Sequence, residues 1–123
     1  MTKFESLKGQ FATAVERLDE VLRAEKSVII RDAALKRFEF TYDLAWKAAR
    51  AFLQEKKGVD CTAPKDCIKA AYQQKLIDYN DIWLNMTDWR NQIVHSYSEK
   101  FADELFAQLP QILSEFQKLL KKL

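Results

Sequence analysis

The chain has 123 residues, 48% of them hydrophobic and 31% charged, with two glycines, two prolines and a formal net charge of +2. Average usage would supply roughly fourteen glycines and prolines, so the composition excludes an all-β sandwich or barrel and argues against disorder. The length favours one domain, residues 1–123, and the small net charge does not indicate strong nonspecific nucleic-acid binding, although it leaves room for a local site.

Apolar residues at three- and four-residue spacing predict five helical segments. In chain order these cover about residues 2–23, 31–57, 64–75, 78–94 and 98–123. Gly58 is expected to end the second helix and Pro64 to open the third. Ser98 is expected to cap the fifth, and Pro110 to kink or divide it. No strand is predicted, so the expected fold class is all-α, an antiparallel up-and-down bundle of four or five helices.

The second helix has two apolar stripes instead of one. The additional stripe consists of Phe40, Leu44 and Ala51. A helix that is apolar on two sides lies at the centre of a bundle or is shared with a partner chain. Glu39, Asp43 and Lys47 form a polar line at four-residue spacing, in which Asp43 can pair with Lys47. This line is interpreted as a solvated or interface surface, and a role for Asp43 or Glu39 near the candidate site of α4 stays open.

Metal and membrane sites are not expected from this sequence. Cys61 and Cys67 are the only cysteines and His95 is the only histidine, whereas a zinc site needs four ligands. We therefore expect two free thiols, no metal and no cofactor. No run approaches the roughly 18 apolar residues of a membrane span, and residues 1–5 lack the apolar region of a signal peptide. The expectation is a cytoplasmic protein without membrane association.

The candidate chemistry is concentrated in residues 90–97, RNQIVHSY. By itself, a histidine late in a helix is commonly a capping or half-buried residue, because the helix dipole favours it there. Here Arg90 supplies a bidentate phosphate-binding fork, Asn91 lies four residues before His95 on the same helix face, and Tyr97 adds a stacking face and a hydroxyl. RNA cleavage without a metal needs such groups, since the 2′-hydroxyl must lose a proton and the phosphorane charge must be stabilised.

Helix geometry separates two of these residues. Five residues at 3.6 per turn leave Arg90 and His95 about 140° apart around the axis, so they do not share a face of one straight helix. Either the helix ends near His95, or the site is assembled from two chains. In the second case, a cleft between two subunits would bring Arg90 of one chain towards His95 of the other.

The pattern Arg-x4-His-x-Tyr, with asparagine after the arginine, resembles the signature of HEPN-domain ribonucleases, and specifically of HepT-like proteins. An older name for the same family is nucleotidyltransferase substrate-binding proteins. Residues 37–47, 64–77 and 83–97 resemble successive blocks of this family. Pro110 falls where members often carry a proline. The resemblance covers most of the chain.

This resemblance implies a function for each motif residue. Arg90 and His95 would be the catalytic pair of a metal-independent endoribonuclease, and Asn91 would orient His95 or the phosphate. Tyr97 would contact RNA and would be adenylylated from ATP by a partner, a minimal nucleotidyltransferase of the MntA type. The family forms homodimers, and the two proteins together constitute a type VII-like toxin–antitoxin pair in which the modification silences the toxin.

Three interpretations of the whole chain remain open at this point. The first is the RNA-cleaving toxin subunit, and the second is a non-catalytic nucleotide- or substrate-binding subunit of the nucleotidyltransferase. A helical interaction protein without chemistry is the third and agrees least with the intact motif. Trp83, Met86 and Trp89 recur every three residues, and we assign them to the core or a dimer interface in preference to a base-stacking platform.

Overall fold

Five α-helices form the fold of the described residues, 1–96 and 98–123, in the computed structural model. They are α1 Lys3–Arg23, α2 Val28–Lys57, α3 Pro64–Gln73, α4 Asp81–His95 and α5 Glu99–Lys122. No strand occurs in this part of the chain, which confirms the all-α prediction. None of these helices is both long enough and apolar enough to cross a membrane.

Side-chain caps fix where the helices begin. The Thr2 hydroxyl accepts a hydrogen bond from the backbone of Glu5, whose carboxylate returns to the Thr2 backbone, a reciprocal arrangement that satisfies two free amides. Ser27 caps α2 in the same way as Ser98 caps α5. The Ser27 cap starts α2 three residues earlier than the apolar pattern suggested. At the other end of α2, Gly58 has a φ of 64°, the left-handed conformation that favours glycine.

Helix α2 occupies the centre of the bundle, since it packs against each of the other four helices. This explains one of its two apolar sides. Phe116 of α5 lies at the middle of the core, where its ring contacts those of Phe11, Phe38 and Trp83 at centroid distances of 5.7–6.4 Å. The second stripe is not fully covered, because Phe40 remains exposed.

Pro110 does not divide the fifth helix, so of the two expected effects, a kink or a division, the division is wrong. Helix α5 continues from Glu99 to Lys122 with Pro110 inside it. Pro110 is exposed, whereas Leu109 and Ile112 on either side are fully buried. The packing of both halves against the core outweighs the loss of one backbone donor.

The two cysteines are bonded to each other, so the expectation of free thiols is wrong. The Cys61–Cys67 disulfide has a Cα–Cα distance of 5.2 Å, within the usual range for such bonds. The turn that precedes α3 brings the two buried side chains together against the core. Spacing along the chain gave no sign of this pairing.

One end of the bundle is held by a buried guanidinium. Arg31, in the first turn of α2, is 3% exposed and donates to Glu99 at 2.6 Å and Asp103 at 3.1 Å near the start of α5, and also to Asp32. Because α5 begins shortly after α4 ends, the start of α2, the end of α4 and the start of α5 lie at the same end of the molecule.

Candidate functional site

Arg90 of α4 is bonded to Asp43 of the neighbouring helix α2. The guanidinium donates from Nε to Oδ1 at 3.1 Å and from Nη2 to Oδ2 at 3.2 Å. Both side chains are about 30% exposed, so the pair lies at the edge of the core. Such a two-point contact fixes the plane of the guanidinium as well as its position.

The pairing keeps Arg90 charged and leaves part of it available. The hydrogen bond to Asp43 raises the Arg90 pKa further above its already high value, and burial opposes this only in part. Within the described residues, Nη1 makes no hydrogen bond. The free edge of the fork can therefore contact an incoming anion while the other edge stays bound to Asp43.

A buried hydrogen bond between α2 and α4 lies beneath this pair. Tyr42, next to Asp43, is buried and its hydroxyl hydrogen-bonds the hydroxyl of Thr87 on α4. Burial raises the pKa of Tyr42 to about 12, so the phenol stays neutral at physiological pH. A buried hydrogen bond between α2 and α4 fixes the spacing of the two helices that carry Asp43 and Arg90.

Arg90 faces an open cleft of about 520 Å³. It is lined by Tyr42, Asp43, Trp46, Lys47, Ala63, Pro64, Lys65, Thr87, Asp88, Arg90 and Asn91. One wall is the segment between the two bonded cysteines. Its Lys65 forms an ion pair with Asp88 at 2.9 Å, so the cleft contains both paired charges and the cation Lys47, which makes no ion pair within the described residues.

His95 lies outside this cleft. It is the last residue of α4, and its side chain is exposed. Asn91 is also exposed and lines the cleft, but no hydrogen bond joins it to His95 in residues 1–96 and 98–123, so its orienting role stays a prediction. Tyr97 lies outside the described residues. The structure thus brings Arg90 and Asn91 together and leaves His95 apart.

The end of α4 bears on how Arg90 and His95 could meet in one site. The helix does end at His95, as the first alternative required, and Ser96 continues in an extended conformation. Arg90 and His95 nevertheless both occupy helical positions, so the angle of about 140° between them is retained. The end of the helix therefore does not by itself bring the two side chains to one face.

The sequence left a role for Asp43 near the motif open but did not pair it with Arg90. The spacing allowed a pair between Asp43 and Lys47 within α2, but Asp43 binds Arg90 of α4, because a guanidinium offers two aligned donors and an ammonium does not. Glu39 pairs with Lys36 at 3.3 Å. The sequence offered one signal for this contact: Asp43 directly follows Tyr42, an aromatic residue of the stripe that packs into the core.

The aromatic spacing in α4 has a structural explanation. Trp83 and Met86 are buried in the core, and Trp89 is half-buried against it. This confirms their assignment to packing. Two aromatic residues of α2, Tyr42 and Trp46, line the cleft, and the sequence did not single out Trp46.

Comparisons with known proteins agree with the motif. Residues 3–123 match the family described as nucleotidyltransferase substrate binding protein like. A Haemophilus influenzae protein named probable ribonuclease HepT is 30% identical over 94 residues, which are 73% of this chain and 64% of the relative, somewhat less than two thirds of that protein's length.

Two solved structures share the fold. A crystal structure from Thermus thermophilus is 34% identical, covers 91% of this chain and 97% of its own, and has a TM-score of 0.86. A Haemophilus influenzae structure, reported as revealing the fold of a substrate binding domain of a nucleotidyltransferase, is 23% identical, covers 97% and 95%, and has a TM-score of 0.66. The similarity to HepT-like proteins is therefore confirmed, and the chain belongs to the nucleotidyltransferase substrate binding protein like family.

Proposed function

We propose that this protein is a metal-independent endoribonuclease of the HepT type, with Arg90 and His95 as its catalytic residues. The observation that carries the proposal is the guanidinium of Arg90, which Asp43 holds at the edge of an open cleft with one side of the fork free. A fixed arginine fork with an unused donor is suited to a phosphodiester. The 30% identical relative named probable ribonuclease HepT supports the same interpretation.

The chemistry divides between the two residues. His95 accepts the proton of the RNA 2′-hydroxyl as its oxygen attacks the adjacent phosphorus, and the bond from phosphorus to the 5′-oxygen breaks. Arg90 stabilises the negative charge of the phosphorane. A protonated histidine then returns a proton to the leaving 5′-oxygen. The products are a 2′,3′-cyclic phosphate and a 5′-hydroxyl. Asn91, beside Arg90 in the cleft, would orient the phosphate.

A homodimer would complete the site. Three apolar side chains are exposed at the end of the bundle that contains His95: Val28, Ile29 and Val94. Apolar side chains clustered at one end are suited to burial against a second copy. In that arrangement, Arg90 of one chain would approach His95 of the other, which removes the difficulty of the 140° separation.

Mixing two inactive variants tests this arrangement. Arg90→Ala and His95→Ala proteins should each fail to cleave RNA. Unfolded and refolded together, they should recover about one quarter of the wild-type activity, since half of the dimers are mixed and each mixed dimer holds one intact site. No recovery would rule out the shared site, and a wild-type protein that cuts no RNA would overturn the ribonuclease proposal.

The family description supports a nucleotidyltransferase as the partner, and the control mechanism is part of the same proposal. We propose that a minimal nucleotidyltransferase is the antitoxin and transfers AMP from ATP to Tyr97, releasing pyrophosphate. The bulky anion would lie two residues from His95 and keep RNA out. Mass spectrometry of the co-expressed protein should detect one added AMP, which Tyr97→Phe abolishes. Modification elsewhere in the chain would contradict this mechanism. RNA and the partner would be met in the cytoplasm, where cellular reductants compete with the Cys61–Cys67 bond.

A second candidate function has an observation of its own. The family description itself refers to substrate binding by a nucleotidyltransferase, and the cleft at Arg90 would then bind a nucleotide without turnover. Titration with ATP and AMP, with and without the partner enzyme, tests this function. Saturable binding that Arg90→Ala abolishes, in a protein that cleaves no RNA, would favour it. The absence of binding would exclude it.

A further inference from the structure

Trp46 stands between two neighbouring depressions of the surface. One is the cleft that contains Arg90, and the other is a second depression of about 310 Å³ between α1 and α2. Both are lined by Trp46 and Lys47. The second is lined in addition by Lys3, Leu7, Arg50, Ala51 and Gln54. A continuous groove, here called the Trp46 groove, therefore leads from Arg90 along α2 to the start of α1.

The charges in this groove are strongly biased. The lining residues of the two depressions include five cations, Lys3, Lys47, Arg50, Lys65 and Arg90, and two carboxylates, Asp43 and Asp88. Their net charge is +3, whereas the whole chain has +2. The positive charge of the molecule is thus concentrated here, which indicates an anionic ligand.

The two carboxylates are already neutralised. Asp43 pairs with Arg90 and Asp88 with Lys65. In contrast, Lys3, Lys47 and Arg50 form no ion pair with any described residue, and the depression that they share contains no acidic side chain from the described part of the chain. Three unneutralised cations beside an unpaired arginine edge form a track that is suited to successive phosphates.

The groove also contains an aromatic surface. Trp46 is half-buried, with the Lys47 ammonium 6.0 Å from its ring centroid. An indole ring between cations is the combination with which proteins bind single-stranded nucleic acids. In such proteins, bases stack on aromatic rings and the sugar–phosphate backbone follows the positive charge. From Asp43 to Gln54, α2 rises about 16 Å, enough for several nucleotides of a stacked strand at about 3.4 Å each.

We propose that the Trp46 groove binds single-stranded RNA on one side of the cleaved phosphate, with a base stacked on Trp46 and the backbone contacting Lys3, Lys47 and Arg50. The inference rests on the proposed ribonuclease function and adds its substrate class. The enzyme cuts unpaired RNA, since a base in a duplex cannot stack on a side chain. A strand bound in this groove is delivered to Arg90 from the side of α1.

Binding and cleavage are measured separately to test the groove. Fluorescence anisotropy of a labelled unpaired RNA of about 12 nucleotides, within the usual range of single-strand site sizes, is followed with the full chain carrying His95→Ala, which removes cleavage. Adding Trp46→Ala should weaken binding about tenfold or more, and Trp46→Phe should restore most of it. The His95→Ala protein should prefer this strand to the same sequence in a duplex.

The salt dependence of RNA binding tests the contacts between the cations of the Trp46 groove and the phosphates. Arg50→Gln should lower the slope of log Kd against log salt by about 0.7, the value for one phosphate contact to a single strand. Lys121→Gln is the matched control, because Lys121 is an exposed lysine at the end of α5 that pairs with no described carboxylate. It should leave both the affinity and the slope unchanged.

The possible outcomes separate the two proposals. If the wild-type protein cuts RNA and Trp46→Ala does not change the affinity for RNA, the proposal for the groove is wrong and the ribonuclease proposal stands. Binding that depends on Trp46, in a protein that cuts nothing, supports the groove and overturns the ribonuclease. If Trp46→Ala and Arg50→Gln weaken only the complex with the nucleotidyltransferase, the groove is a protein-binding surface and the RNA proposal is wrong.

Discussion

The two ends of the motif differ in how much of their surroundings this chain supplies. Arg90 is half-buried, bonded at two points to Asp43, and faces a cleft whose floor is fixed by the buried bond between Tyr42 and Thr87. His95, five residues later, is exposed at the last position of α4 and has no side-chain partner among the described residues. Contacts within this chain orient the side chain of Arg90, whereas the described residues supply no such contact to the side chain of His95.

This difference indicates what is missing around His95. A catalytic histidine must be oriented towards a substrate proton, and a side chain in water has many orientations. Under the proposed function, RNA or a second copy of the chain would supply the surroundings that the described residues do not give His95. Arg90 needs no such help, because its orientation is set within the monomer. The following four predictions test this contrast.

Removing each catalytic residue should have the largest effect. We expect His95→Ala and Arg90→Ala each to lower RNA cleavage about 10³-fold, equivalent to about 4 kcal/mol of barrier. Their stabilities should differ. His95→Ala should leave the free energy of unfolding within about 0.5 kcal/mol of wild type, whereas Arg90→Ala should lower it by about 1 kcal/mol because Asp43 loses its partner. Cleavage kinetics and urea denaturation measure both, and equal stability losses would break the contrast.

Loss of the disulfide, which holds the ends of one wall of the Arg90 cleft, should lower the stability of the chain. Replacing both Cys61 and Cys67 by serine removes a short loop closure, with a sequence separation of 6, and should cost about 2 kcal/mol. The melting temperature should fall by about 8 °C. Dithiothreitol should produce the same fall in the wild type and none in the variant. A wild-type melting temperature that reductant does not change would contradict the prediction.

Neutralising Asp43 should loosen Arg90. Asp43→Asn keeps the shape but not the charge, so we expect kcat to fall about tenfold as the guanidinium loses its fixed plane, with a stability loss of about 1 kcal/mol. Asp43→Glu should recover part of kcat, which a purely structural role would not require. Asp88→Asn is the matched control, since its pair with Lys65 is far more exposed. An equal loss in both variants would argue against Asp43 as a positioning residue.

Changing an exposed apolar residue near His95 should alter assembly and not folding. Val94 is 51% exposed, so Val94→Ser should change the stability of the monomer by less than about 0.5 kcal/mol. Sedimentation equilibrium should show a weaker dimer, and cleavage should decline with dissociation. Tyr72 of α3 is 48% exposed and contacts Tyr79, which is bonded to Asp81 at the opposite end of α4, so Tyr72→Ser should leave the dimer intact. The same weakening in both variants would place the interface elsewhere.

Local chemistry explains which parts of the fold were predictable. The apolar periodicity, the serine caps and Gly58 give helix type and approximate bounds, because they depend on neighbours within a few residues. The division expected at Pro110 was wrong because the packing of Leu109 and Ile112, which keeps the helix continuous, is not local. The Cys61–Cys67 bond was missed for the same reason. The motif residues were found from their spacing, whereas Trp46 was not, since only the fold places it beside Arg90.

The sequence by itself determined the helical class, the order of the five helices and the identity of Arg90, Asn91 and His95 as candidates, because periodicity and motif spacing are written along the chain. The tertiary structure decided that Asp43 binds Arg90 and not Lys47, that the cysteines are joined, and that Trp46 borders the same cleft as Arg90. These features depend on which faces of α2, α3 and α4 meet. Contacts between distant segments follow from packing of the whole core, and no single window of sequence contains that information.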